Sequence, residues 1–213
     1  MERYGLDSVK YFLLREMPTA QDGVFSPESF VERYNYDLCN DLSNLLNRTV
    51  SMVNKYFDGN VPQYKGTPNE VDEEFEEYTL NQICKFEEKM EQYEISGALQ
   101  EIWGIISRTN KYIDETTPWT LAKEGNKEKL ESSMYHLIEN LRKIAILLKP
   151  FINDTAENIF KQIGITSKDD KQWESLKTNI NNKNQKVIEK GEPIFMRLNA
   201  EEEIGYIKSL MKR

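Results

Sequence analysis

Residues 127–149 carry the most regular apolar repeat in the chain. Leu130, Met134, Leu137, Leu141, Ile144 and Leu148 recur at alternating steps of four and three. That spacing holds one apolar stripe on one side of a helix for its whole length, and other helices must cover the stripe. Pro150 ends the pattern, because proline cannot continue the helical hydrogen-bond ladder.

Other segments show the same period. Residues 7–16 form a short helical pattern that stops before Pro18, and Ser26-Pro27-Glu28 reads as a capped helix start. From there helical periodicity reaches Phe57, with a break expected near Tyr34–Tyr36, and Asp58-Gly59 ends it. A turn-rich loop, GNVPQYKGTPNE, leads into a helix near 72–94 that either runs on or kinks at Gly97 towards Ile113. After the DETTPW break, the short piece WTLAKE precedes 127–149. A last short helix, capped by Asn153 or Asp154, closes at Gly164. Residues 166–193 are polar and rich in Asn and Lys, so they are expected to wrap along a surface, and an amphipathic helix over about 199–212 follows. Only short stretches such as PIFMRL could pair as strands. The fold class is all-α: an antiparallel bundle of about five helices with an extended C-terminal tail and a terminal helix.

The 213 residues are 38% hydrophobic, enough for one substantial core. No run approaches the ~18 apolar residues of a membrane span, no signal-peptide pattern opens the chain, and a cytoplasmic protein is expected. Cys39 and Cys84 form no CxxC pair and read as buried, reduced thiols. The net charge of −8 argues against a nucleic-acid partner until its distribution is seen. Residues 70–94 hold ten acids against two lysines and account for the whole imbalance, so a solvated acidic face is expected there. No phosphate-cradling glycine loop is present. The single histidine, His136, reads as a boundary residue, and DEEFEE and EEE lack histidine partners, so catalysis by this chain alone is not expected.

The stretch 41–59 divides more sharply than the others. Leu38, Leu42, Leu45, Leu46, Val50, Met52, Val53, Tyr56 and Phe57 fill one half of a helical projection. Asp41, Asn44, Arg48, Ser51 and Lys55 share the other, with Asn40, Asn47 and Asn54 beside them. Amides and a guanidinium match the edges of unstacked bases, and Lys55 suits a phosphate. Internal pairing of these same groups explains the pattern equally well. Thr117-Pro118-Trp119 adds an indole at a helix start, a stacking platform for a base. Trp103 and Trp173 read as lids of the core.

YGLDSVKYFLLRE, DLCNDLSNLLNRTVSMVNKYFDG, NKYIDETTPW, LLKPFINDTAENIF and KGEPIFMRL occur in this order. Together they resemble the C-terminal half of bacterial methionyl-tRNA synthetases over nearly the whole chain. The resemblance implies a helical anticodon-binding domain that follows a class I catalytic domain, with Asn44 and Arg48 reading anticodon bases of methionine tRNA. It also implies Lys55 as the following cation, Trp119 of the Pro118-Trp119 pair as the stacking residue, and Asp114 as the acid supporting that loop.

The ATP-site HIGH and KMSKS signatures and the zinc-knuckle cysteines of such enzymes are absent. The chain is therefore expected to start just after the catalytic machinery, to be inactive alone, and to hold no cofactor, the parent enzyme using ATP and methionine. No membrane or DNA partner and no appended C-terminal OB-type module is expected. The resemblance divides the chain into a stem-contact remnant (1–24), the anticodon-binding bundle (25–165) and a tail (166–213) that packs back on the catalytic domain. Cys39 and Ser43 stand where smaller residues are expected, and Met196 where proline is. The competing reading is a helical scaffold that docks a partner protein without reading RNA.

Overall fold

The computed structural model describes residues 3–16, 23–66, 69–181 and 183–211, among which no strand forms. The helix stop before Pro18 and the Thr67-Pro68 part of the loop lie outside these residues. The helices are α1 (Leu6–Glu16), α2 (Pro27–Arg33), α3 (Asn44–Phe57), α4 (Glu70–Glu91), α5 (Ile95–Thr116), α6 (Pro118–Glu124), α7 (Lys127–Leu148), α8 (Asn153–Gln162) and α9 (Ala200–Met211). The bundle proper is built from α3, α4, α5, α7 and α8, with α1, α2, α6 and α9 added around it.

Local chemistry sets the ends. The Ser26 hydroxyl accepts from Ser29 N at 3.0 Å, and Asn69 Oδ1 accepts from Asp72 N at 3.1 Å, each satisfying an orphan donor of a first turn. Left-handed Asp58 (φ 51°) and Gly59 (φ 79°) close α3. The expected break at Tyr34–Tyr36 is instead a π-helix, Tyr34–Ser43, that joins α2 to α3 without a gap. Its wider turns place Asn35, Asp37, Leu38 and Leu42 inside together, so the 3.6-residue projection applies only from Asn44 onward.

The chain between α4 and α5 reverses at 92–94, not at Gly97. Tyr93 takes φ 58°, and Lys89 Nζ reaches Glu94 at 2.5 Å. Gly97 serves close packing, since a Cβ there would lie 3.1 Å from Lys89 Cδ. The cap of α8 is neither Asn153 nor Asp154. Asp7 of α1 accepts from the backbone N and hydroxyl of Thr155, both at 2.8 Å.

One apolar core runs from Tyr11 and Phe30 through Leu141 to Leu176, Val187, Phe195 and Ile207, so segments 1–24, 25–165 and 166–213 share it. The polar tail is tied down by buried donors. Arg142, with no exposed surface, gives hydrogen bonds to Asp170 O (2.9 Å), Ser175 O (3.0 Å) and Thr178 O (2.9 Å) while paired with Glu139. Burial pushes the Glu139 carboxyl up and the Lys143 ammonium down from their ordinary values. Lys143 Nζ donates to Asn179 Oδ1 at 2.8 Å, and Tyr135 Oη to Ile180 O at 2.7 Å. PIFMRL forms no strand. The tail's backbone bonds instead to helix side chains, and Asn60 and Lys186 make an isolated antiparallel bridge.

Three further expectations are corrected. His136 is buried rather than at a boundary, with Nε2 2.9 Å from Glu76 Oε1 and Nδ1 2.7 Å from Ser132 O. Asp72 does not belong to the solvated acidic face. It is fully buried and accepts from Tyr112 Oη (2.5 Å) and Ser132 Oγ (2.6 Å), joining α4, α5 and α7. Cys39 is buried but Cys84 is exposed. Trp103 is buried against Tyr11, whereas Trp173 stays 40% exposed over Phe86.

Candidate nucleic-acid interface

From Asn44 to Lys55 the outward side of α3 separates into two rows. With each residue turning ~100°, Asn44, Arg48, Ser51 and Lys55 fall within ~60° of one another, and Asn47 and Asn54 lie ~60–80° to one side of Asn44. The first row is exposed. The second is not free. Asn54 Nδ2 donates to Ile188 O at 2.8 Å, and Asn47 Oδ1 lies where a Cβ on Gly191 would come within 2.8 Å. The alternative of internal pairing therefore holds for Asn54, whose amide holds the tail, while Asn47 is packed against it at Gly191.

In the exposed row, the Asn44 side-chain amide has no hydrogen-bond partner among the described residues, while its backbone N–H donates to Cys39 O. Arg48 Nη2 lies 3.4 Å from Asp114 Oδ1, with side chains 43% and 69% exposed. Asp114 stands in the last turn of α5, where the negative helix end also favours a guanidinium. Lys55 Nζ sits 5.2 Å from the centre of its neighbour Tyr56's ring.

The Arg48–Asp114 pair brings this row to the turn that carries the indole. Thr117 takes φ 41° and its N–H donates to Ile113 O at 3.0 Å, which ends α5. A β-branched residue in that conformation is strained by about 1–3 kcal/mol. Pro118 is buried as the first residue of α6, where its missing N–H costs nothing and its fixed φ suits the helix. Trp119 follows at once, 47% exposed. Asn44, Arg48, Lys55 and Trp119 are thus all solvent-facing, and Asp114 connects the two elements. Pro118 is the exception among the expected site residues, since it shapes the turn from below.

Edge-reading groups beside an open aromatic ring are what recognition of unstacked bases requires. Residues 61–210 match the family model described as the anticodon binding domain of methionyl tRNA ligase, and residues 1–50 match that of class I tRNA synthetases (M). The chain belongs to this family. It is 55% identical over all of its 213 residues to a methionine–tRNA ligase of Bacillus subtilis (strain 168), and 50% identical to one of Listeria innocua. It spans 32% of the length of each of these relatives. The apo form of Mycobacterium tuberculosis methionyl-tRNA synthetase superposes with a TM-score of 0.85 at 29% identity, over 93% of this chain and 40% of that one.

The tail, expected to wrap along a surface, lies against α3. Ser43, expected to be smaller, accepts from Phe195 N at 3.2 Å, so its hydroxyl anchors the tail at the residue preceding Asn44. The signal lay in Gln185–Ile188, where buried Gln185 and Val187 flank exposed Lys186.

Proposed function

We propose that this chain is the module of a methionine–tRNA ligase that reads the anticodon loop of methionine tRNA in the cytoplasm. Methionine and ATP are handled by the catalytic domain of the parent enzyme. Asn44 and Arg48 contact base edges, Trp119 stacks under a base, Lys55 meets a phosphate, and Asp114 orients Arg48. The observation that carries this reading is the Arg48–Asp114 contact, which joins a row of exposed edge-reading groups to the turn presenting an open indole. A scaffold that docks protein without RNA would have these groups satisfied internally, whereas the Asn44 amide and the Trp119 ring are open.

The weak ion pair suits the role. An exposed pair is worth about 0–1 kcal/mol, so Asp114 pre-orients the guanidinium without competing strongly with a base, which discriminates by about 1–3 kcal/mol per bidentate contact. The test is a titration of the full chain with a methionine tRNA transcript and the same transcript with a changed anticodon. Tighter binding of the first, lost in Arg48→Ala, is the expected result; equal affinity for both overturns the assignment.

A further inference from the structure

The tail runs antiparallel to α3 and the π-helix over their whole length. Val187 N donates to Gly59 O at 3.0 Å, Asn54 to Ile188 O at 2.8 Å, Phe195 N to Ser43 Oγ at 3.2 Å, and Asn35 exchanges two bonds with Leu198 at 3.0 and 2.8 Å. It is held from the other side as well. Ile188 N donates to Gln162 O at 3.0 Å, and a Cβ on Gly164 would lie 1.9 Å from Lys186 O. The tail is therefore a fixed wall along one side of the Asn44–Lys55 row, while Asp114 meets Arg48 on the other.

This wall presents Lys186, Lys190 and Arg197 to solvent, and none of them forms an ion pair with a described residue. Glu189 and Glu192 are interleaved with them but do not neutralise them by contact. Unpaired exposed lysines also occur elsewhere, Lys85, Lys129 and Lys161 among them, but only in this segment do such cations follow one another along α3 and the π-helix. Lys186 stands level with the end of α3 that carries Lys55, and Arg197 level with the π-helix. Four residues of extended chain span at most ~14 Å, so Lys186 and Lys190 can meet separate phosphates of one strand.

We infer that the tail segment 186–197 is a phosphate-binding rail. Its Lys186, Lys190 and Arg197 follow the ribose-phosphate backbone of the RNA strand whose bases face Asn44, Arg48 and Trp119. The inference rests on the anticodon-reading assignment above and adds to it a surface on a different element. Such contacts carry no base information; they add affinity through counterion release.

The experiment measures affinity of the full chain for the matched and changed tRNA transcripts between about 50 and 200 mM salt. In the triple variant Lys186→Ala, Lys190→Ala, Arg197→Ala, affinity at low salt should fall about tenfold for both transcripts, and the salt slope should fall by about two, at ~0.7 per lost contact. The ratio between transcripts should stay unchanged, whereas Arg48→Ala collapses that ratio. A control variant, Lys186→Arg, Lys190→Arg, should retain the wild-type slope, separating charge from folding. An unchanged slope in the triple variant overturns the rail and leaves anticodon reading intact, and would assign these cations to a protein partner. Loss of the ratio in the triple variant also overturns it, and absence of any preference in the wild-type chain overturns both.

Discussion

Arg48 and Trp119 occupy different elements, and Asp114, which meets Arg48 in the last turn of α5, lies five residues before Trp119. Trp119 is half-open because Thr117 accepts a left-handed conformation and Pro118 starts a new helix beneath it. Trp119→Ala is expected to lower affinity for the methionine tRNA transcript by about 1–3 kcal/mol. Far-UV circular dichroism should stay unchanged, because Trp119 lies outside the apolar core. Asp114→Asn removes the partner of Arg48 while keeping its size. Titration with both transcripts should show discrimination reduced but not abolished, and thermal stability should move by less than ~1 kcal/mol, the range of an exposed pair. The residue types at this site were legible in the sequence because amides and a guanidinium on one helix row are an uncommon choice for solvated surface. Their division into free and engaged groups was not. Asn47 and Asn54 differ from Asn44 only in which neighbour lies 134 or more residues away along the chain.

The helices announced themselves through period and punctuation: Ser26-Pro27, Asp58-Gly59 and Pro150 act locally, so they read directly. The hairpin between α4 and α5 did not, because Tyr93 reverses the chain without a glycine and Gly97 is spent on packing. Nor did the tail, whose attachment depends on Arg142, Lys143 and Tyr135, three polar-tipped residues of α7 that share its apolar surroundings. Arg142→Ala leaves Glu139 buried without its guanidinium partner and releases the 170–178 backbone. Urea denaturation should show a loss of about 3–5 kcal/mol. The docking of α9 is tuned by acid. Arg3 donates to Glu203 at 2.7 and 2.6 Å and Tyr4 at 2.6 Å, and these bonds hold the Glu203 carboxyl below its usual range. Its contribution is complete above the ordinary carboxylate pKa of about 4.3 and is lost as pH falls through the lowered value. An NMR titration of the Glu203 carboxyl, with amide shifts over 200–211, should show α9 loosening only in that acid range, and Glu203→Gln should remove the transition.

At the scale of the molecule, the acidic face of α4 and the exposed polar row of α3 are separated by architecture. α4 packs on α5 and α7, and exposed Glu74 and Glu77 point outward from it. α3 meets the same two helices elsewhere and carries the exposed polar row. Charges beyond a Debye length of about 8 Å at physiological salt are largely screened. Reversing Glu74 and Glu77 to lysine should therefore leave the affinity ratio between matched and changed transcripts as it is, in the same titration. By itself the sequence determined the helical class, most of the helix ends and the residues able to read a base, since periodicity, caps and side-chain chemistry are properties of short segments. Only the tertiary structure decided which polar groups stay open and which hold the tail. It also decided that Asp72 and His136 lie inside, and that the tail carrying exposed Lys186, Lys190 and Arg197 runs beside α3. Those outcomes depend on partners distant in the chain, and burial or freedom of a polar side chain is settled by what packs against it.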